Sequence, residues 1–460
     1  MLSMADLSAS GDAHQKRPAS RRTFLKAFSA AAAASLQAAC GGTTGGTAGG
    51  DAAAPKAVKF PDTLYLTTIY NFQQNDPGFT AAAEEFSRRN NVKLEMAPGS
   101  VPDITAKIAA GTPPDVFRRD ANAFHKVIAD GGLRELGPYL QGTKDFKAGD
   151  FYPHLIRMQS TAGKLYAIPE DFQPASTLYY NKAILDKAGE KPPVPEWTWT
   201  QLLDLARRVT RGAGEVQDQY GYLTVAGWWE QFVYNAGGQI VDNVENAAKC
   251  LLDTTPSLDG LQFLVDLQQK WKVMPSPQAR AQANVGNEIA WFIANRVATI
   301  NHGTWATLNW AQAGDSLQWA MTLGPKGQDG KWHYQTGGAG WSIAKDAKTP
   351  DASWEFIKWQ FGPQGWKAWL AKRDPKVFWM PALRALAEEE AKRLETIYPN
   401  AQLVVKSADS IYFRPPGYKW ERALMEAINP ALADVQSGKS PVRSAMQDAV
   451  RQANAILAGG

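Results

Sequence analysis

From Val58 onward, short apolar runs alternate with stretches whose apolar residues recur every three or four positions. Leu64 and Leu66 alternate with polar neighbours in Thr63-Leu64-Tyr65-Leu66-Thr67-Thr68, which predicts a first strand. Helical spacing follows through Phe79 and Phe86, and Val92-Lys93-Leu94-Glu95-Met96 predicts a second strand. Asp115-Val116-Phe117 predicts a third, after the turn Gly111-Thr112-Pro113-Pro114. Late strands are expected at 297–300, 318–323 and 341–344. Such strand–helix alternation predicts an α/β fold, with mainly parallel sheets covered by helices.

Several helices carry their own start signals. Thr198 and Gln201 have the spacing of a capping box, and Leu202, Leu205, Ala206 and Val209 then fall on one face. Ser257 precedes Leu258, Leu261, Leu264 and Val265. Near the end, Ser440 is expected as a cap with Pro441 in the first helical position, ahead of the stripe Val442, Ala445, Ala449, Ala453 and Leu457.

At 460 residues the chain exceeds one ordinary core, so two domains of roughly 150–200 residues are expected. Apolar residues make up 44% and charged residues 20%, a soluble globular balance. The formal charge of +4 is concentrated at the start. Residues 1–39 hold five of the 49 cations (Lys16, Arg17, Arg21, Arg22, Lys26) and two of the 45 anions, which leaves 44 against 43. A nearly neutral remainder gives no electrostatic reason to expect a nucleic-acid partner.

That N-terminal segment reads as an address. Ser20-Arg21-Arg22-Thr23-Phe24-Leu25-Lys26 is similar to the twin-arginine export signal. The alanine-rich stretch 27–39 that follows is too short to span a bilayer but fits the apolar region of a signal peptide. Leu36-Gln37-Ala38-Ala39-Cys40 resembles a lipoprotein box, with the aliphatic residue four positions before the cysteine instead of three. Lipidation of Cys40 is one expectation, and ordinary cleavage near Ala52-Ala53-Ala54 is the other. Residues 40–57, rich in glycine and threonine, would form a tether spanning roughly 20 Å.

Signs of catalytic chemistry are few. His14, His125, His154, His302 and His333 are scattered without metal-ligand spacing. A nucleophile-elbow serine and a dinucleotide glycine fingerprint are both missing, so neither cofactor nor metal is expected. Two cysteines make no disulfide framework, and Cys250, within Cys250-Leu251-Leu252, is expected as a small buried hydrophobe.

Tryptophan changes the picture. All 17 lie beyond the leader, and Trp228, Trp229, Trp305 and Trp341 stand beside glycine or at predicted strand ends. An indole face matches the C–H side of a pyranose ring while polar neighbours bond its hydroxyls. Trp271, Trp354, Trp359, Trp366 and Trp369 fall in helical patterns and are assigned to packing.

The order of local motifs is more specific than any one of them. Ile108-Ala109-Ala110-Gly111-Thr112-Pro113-Pro114-Asp115-Val116 precedes Gly163-Lys164-Leu165-Tyr166-Ala167-Ile168-Pro169 and Tyr179-Tyr180-Asn181-Lys182. Ala236-Gly237-Gly238, Ile300-Asn301-His302-Gly303-Thr304-Trp305-Ala306 and Gly337-Gly338-Ala339-Gly340-Trp341-Ser342-Ile343 follow. Together they resemble the extracellular solute-binding protein family 1, the sugar-binding, maltose-binding-protein-like components of bacterial ABC importers.

The resemblance implies a two-lobed α/β fold with hinge strands between the lobes. Residues 58–172 and 333–385 would form the first lobe, and 173–332 and 386–460 the second. It implies a carbohydrate held between lobes, delivery to membrane permease subunits, a monomer and no catalysis. Trp305 and Trp228 or Trp229 would stack on sugar rings, and Arg119 and Asp120 would bond hydroxyls. Tyr70, Asn71, Gln73, Asp171, Gly340, Trp341 and Arg414 would also face the ligand. A polyol, glycerol-phosphate-like or peptide ligand keeps the same fold, and a secreted glycoside hydrolase is the rival from another class.

Overall fold

Three parallel strands open the structure, a computed structural model that describes residues 58–68, 76–120, 123–407, 411–412 and 414–459. Strand β1 (Thr63–Thr68) pairs along its whole length with β2 (Lys93–Pro98), and its other edge meets β3 (Val116–Asp120). Leu64 and Leu66 point into the core while Tyr65 between them is exposed, as the alternation predicts. The helix Pro77–Asn90 makes the crossover and buries Phe79, Ala82, Ala83 and Phe86 on one face. Asp76 caps it, accepting from the backbone N–H groups of Gly78 and Phe79 at 3.0 and 3.2 Å.

A short hairpin, β4 (Ser160–Thr161) and β5 (Lys164–Leu165), precedes β6 (Ile168–Pro169). Two strands then run nearly end to end: β7 (Asp171–Pro174) and β8 (Thr177–Asn181). Strand β8 enters a second sheet with β9 (Tyr220–Thr224), β10 (Val297–Asn301) and β11 (Trp319–Leu323), in the order β11-β8-β10-β9. Strands β9 and β10 are parallel, and β8 is antiparallel to both of its neighbours.

The chain then returns. Strand β12 (Tyr334–Gly337) leads directly into β13 (Ala339–Ser342), which completes the first sheet in the order β2-β1-β3-β13-β6. Strands β7 and β12 pair antiparallel, Thr336 opposite Pro174 and Gly337 opposite Gln173. With β14 (Met380–Pro381) and β15 (Ile411–Tyr412) on their outer edges they form a third sheet, β14-β7-β12-β15. Two mixed sheets are thus linked by two adjacent crossing strands, and Val58–Gly460 forms one compact unit.

Most predicted helices stand where the periodicity puts them, with small shifts at the ends. The helix Trp199–Val209 has both halves of its capping box and buries Leu202, Leu205, Ala206 and Val209. The helix Thr255–Gln269 begins two residues before Ser257, whose hydroxyl is buried and donates instead to the Gln239 carbonyl at 2.9 Å. Pro441, not Ser440, occupies the cap position of Val442–Ala458, in an extended conformation without a side-chain bond. The strand expected at 341–344 is shifted to Ala339–Ser342, because Ile343 and Ala344 bond the segment Leu133-Arg134. Cys250 is fully enclosed, and burial pushes its thiol up to about 11, so it stays protonated.

Candidate functional site: the crossing strands and their aromatic flank

The crossing strands carry a dense buried polar network. Glu170, between β6 and β7, is fully enclosed and meets Arg118 of β3 in a fork, with nitrogen–oxygen distances of 2.8 and 3.4 Å. Trp341 Nε1 donates to the same carboxylate at 2.7 Å. Asp171 accepts from the Ala339 N–H at 2.8 Å and from the side chains of Trp379 and Gln173. These bonds tie the exit strand of the first sheet to its re-entry strand.

Electrostatics follow from that enclosure. Burial and the neighbouring Asp171 push the Glu170 carboxyl up to about 7, against the pull of Arg118 and Trp341. Burial also raises Asp171, opposed by Arg118 and its three donors. Burial disfavours the Arg118 cation, but Glu170, Asp120 and Asp171 overcome it and hold the guanidinium charged.

A second buried ion pair joins this network from the side. Arg373 meets Asp76 at 2.9 Å and donates to the Trp379 carbonyl at 2.9 Å. Its guanidinium lies 4.7 Å from the Trp369 ring centre, 5.2 Å from Trp379 and 5.6 Å from Trp366. Trp369 Nε1 donates to Asp76 at 2.6 Å. A continuous chain of contacts therefore runs from Asp76 through Arg373 and Trp379 to Asp171.

Aromatic rings flank the crossing strands on the side of the second sheet. Trp305 stands four residues beyond the end of β10, and Trp228 four beyond the end of the parallel β9. Their rings meet edge to face, centres 5.8 Å apart at 83°. His302 packs against Trp305 at 5.2 Å and Trp228 at 6.1 Å, and burial lowers its imidazole to about 4, so it is neutral at neutral pH. A Cβ on Gly337 of β12 would lie 3.8 Å from the Trp305 ring, so the indole rests against the crossing strand itself. Trp305 keeps part of its surface open, whereas Trp228 is nearly covered.

Of the residues singled out from sequence, Trp228, Trp305 and Arg414 are brought together here. Arg414 donates to the Gly227 carbonyl at 2.7 Å and to the buried carboxylate of Glu230 at 2.5 Å, which clamps the turn holding Trp228. Trp229 is buried in the main core, whereas Trp228 packs in a separate small cluster with Ala175 and Tyr334. Asp120 is exposed at the end of β3 and lies 3.5 Å from Arg118.

Four expected ligand contacts are placed elsewhere and need correction. Arg119 is buried, its two terminal nitrogens donate to the carbonyls of Ala123 and Gln159, and burial lowers its guanidinium to about 10. Trp341 is fully covered, stacked between Phe79 and Phe361 at 5.9 and 5.2 Å. Gly340 faces Gln159 and Ala167, so closely that a Cβ would come within 2.8 Å of either side chain. Asp171 is enclosed with its oxygens already bonded. Tyr70, Asn71, Gln73 and Cys40 lie outside the described residues.

Reading from sequence missed Glu170, Arg118, Asp76, Arg373 and Trp379. The adjacent acids Glu170-Asp171 after Ile168-Pro169 are the one local signal; the other partners are distant in sequence.

Comparison with known proteins agrees with this architecture. A family model described as bacterial extracellular solute-binding protein matches residues 71–365. The chain belongs to that family. It is a family of solute-binding proteins, not of enzymes. A binding protein of Brucella abortus (strain 2308) is 22% identical over 401 residues, covering 84% of this chain and 88% of the relative.

Solved structures share the two-lobed fold. An ABC substrate-binding protein of Listeria monocytogenes in complex with cycloalternan superposes with a TM-score of 0.71 at 19% identity, covering 86% of this chain and 99% of that one. A solute-binding protein of Thermotoga lettingae bound with alpha-D-tagatose gives 0.71 at 22%, covering 86% and 100%. The maltose-bound protein of T. maritima gives 0.67 at 18%, covering 86% and 99%.

Proposed function

We propose that this chain captures a carbohydrate between two lobes that close about β7 and β12, and delivers it to the permease of an ABC importer. The observation that carries this reading is the Trp228–Trp305 pair, set edge to face against the crossing strand at Gly337. Trp305, the partly open indole of the pair, offers an apolar platform to a sugar ring, and the nearly covered Trp228 holds it at right angles from behind. Solved relatives by fold hold cycloalternan, tagatose and maltose, which supports the same ligand class. Asp120, exposed beside the buried Arg118, is assigned to a sugar hydroxyl. Tyr70, Asn71 and Gln73 are assigned to the same ligand from the family resemblance alone.

In this reading the first lobe comprises residues 58–172 and 333–385, and the second 173–332 and 386–460. Ligand bonded to both lobes stabilises the closed arrangement by its differential affinity and no more. Arg119, Asp171 and Trp341 then act as positioning residues beneath the surface, and Arg414 holds the Trp228 turn.

The family is extracellular, and the finer address is inferred from Arg21-Arg22 and Cys40. The protein leaves the cytoplasm through the twin-arginine route, is lipidated on Cys40 and works as a monomer at the cell envelope on its glycine-rich tether. Calorimetry tests the ligand site. Trp305→Ala is expected to weaken binding of the cognate sugar by about 1–3 kcal/mol, the range for a truncated aromatic anchor. Unchanged affinity would remove Trp305 from the site.

A further inference from the structure

A second cavity lies within the sheet-two half of the molecule, away from the aromatic pair. It measures about 330 Å³, at the lower end of small-molecule sites, and is lined by Gln268, Gln269, Gln278, Gln436, Tyr220 and Lys272. Tyr220 opens β9, whereas the turn carrying Trp228 follows its far end, Thr224. Four residue steps along the strand separate Tyr220 from Thr224 by about 13 Å.

The lining is unusually rich in side-chain amides. Gln268 is only 5% exposed, and its Nε2 donates to Gln436 Oε1 at 3.3 Å. Its own Oε1 is enclosed and has no hydrogen-bond partner among the described residues. An unmatched buried amide oxygen is costly, and a hydroxyl donor would satisfy it once the amide turns toward the cavity. Ser276 and Ser437 add further polar groups, and Met274 supplies an apolar wall. Lys272 at the rim is neutralised by Glu215 at 3.1 Å, so the lining favours a neutral ligand over an anion.

We propose that this cavity binds a small neutral polyhydroxy compound, a monosaccharide or a cyclitol, independently of the site at Trp228 and Trp305. Amides and serine hydroxyls each donate and accept, which suits a ligand whose every substituent does the same. A smaller cavity of about 70 Å³ shares Gln268, Met274 and Gln436 with it and reaches Trp228 and Trp229.

Ligand-observed NMR on the full exported chain tests the proposal, with D-glucose, D-mannose and myo-inositol as probes. The Trp305→Ala background weakens the cleft contribution, and the glutamine substitutions then separate the two sites. At least one probe is expected to bind there. Adding Gln268→Leu should weaken that binding by about threefold to tenfold, the worth of one neutral hydrogen bond. Gln269→Glu, at an exposed position on the rim whose amide nitrogen bonds the Val435 and Gln436 carbonyls at 2.9 and 3.2 Å, repeats the test with the side-chain shape kept. Unfolding midpoints of both variants show whether the fold is unchanged. Absence of binding by all three probes in Trp305→Ala overturns the proposal, as does binding that neither glutamine substitution changes. Neither outcome bears on the cleft, which the calorimetry of Trp305→Ala addresses separately.

Discussion

Arg373→Met is expected to cost about 3–5 kcal/mol of folding stability, because it leaves the Asp76 carboxylate buried without its cation. Asp76 is fully enclosed, and Arg373 has 2% of its side chain exposed. Methionine retains much of the bulk against Trp366, Trp369 and Trp379, so the loss reports mainly charge and hydrogen bonding. Denaturant unfolding measures it as a lower midpoint with an unchanged slope. Asp76→Asn keeps an acceptor for the helix cap but removes the charge. The double variant Asp76→Asn/Arg373→Met should therefore be less unstable than the two single losses added together. Simple additivity would show that the two side chains do not act as a pair.

The same pair explains part of what sequence reading could not reach. Asp76 and Arg373 are separated by 297 positions, and neither stands in a motif that names the other. Their partnership depends on the helix Pro77–Asn90 packing against Pro363–Leu370, a tertiary event. Trp228 and Trp305 were legible for the opposite reason. Trp305 follows the strand expected at 297–300 and Trp228 stands beside Gly227, both local features. Both residues lie beyond the carboxyl ends of the parallel β10 and β9, one of which, β9, the pattern did not predict.

Adjacent residues on one strand illustrate the intermediate case. Arg118 and Arg119 are equivalent to composition and spacing, yet a strand sends neighbouring side chains to opposite faces. Arg118 faces the crossing strands and Glu170, whereas Arg119 faces Ala123 and Gln159. The parity depends on where β3 starts relative to β13, whose register sets Trp341 opposite Arg118 and Gly340 opposite Arg119. Trp341 shares that logic. Its glycine neighbours suggested an open surface, but its face of the sheet is the one covered by Phe79, Phe356 and Phe361.

Acidification from pH 6.5 toward 5 is expected to destabilise the fold by roughly 2 kcal/mol per pH unit, through three enclosed histidines. Burial is the main cause that lowers His125, His154 and His302 to about 4 each, and nearby arginines reinforce it for the first two. An unfolded histidine titrates at about 6.5, so between these values the unfolded chain binds more protons. Their stabilisation is thus present above the unfolded value and is lost as pH falls. Glu170 works in the reverse sense: raised to about 7, it binds a proton more readily when folded and contributes stability that is lost as pH rises. The burial-raised carboxyl of Asp171 acts in the same direction. Three histidines outweigh the carboxyls over this range, so the net slope follows the histidines. Glu170→Gln should steepen the loss by removing one opposing group, and His302→Gln should make it shallower. Unfolding free energies at about pH 7, 6 and 5 for the three proteins decide the matter. A wild-type chain that gains stability on acidification would mean that the histidines are not held neutral in the folded state.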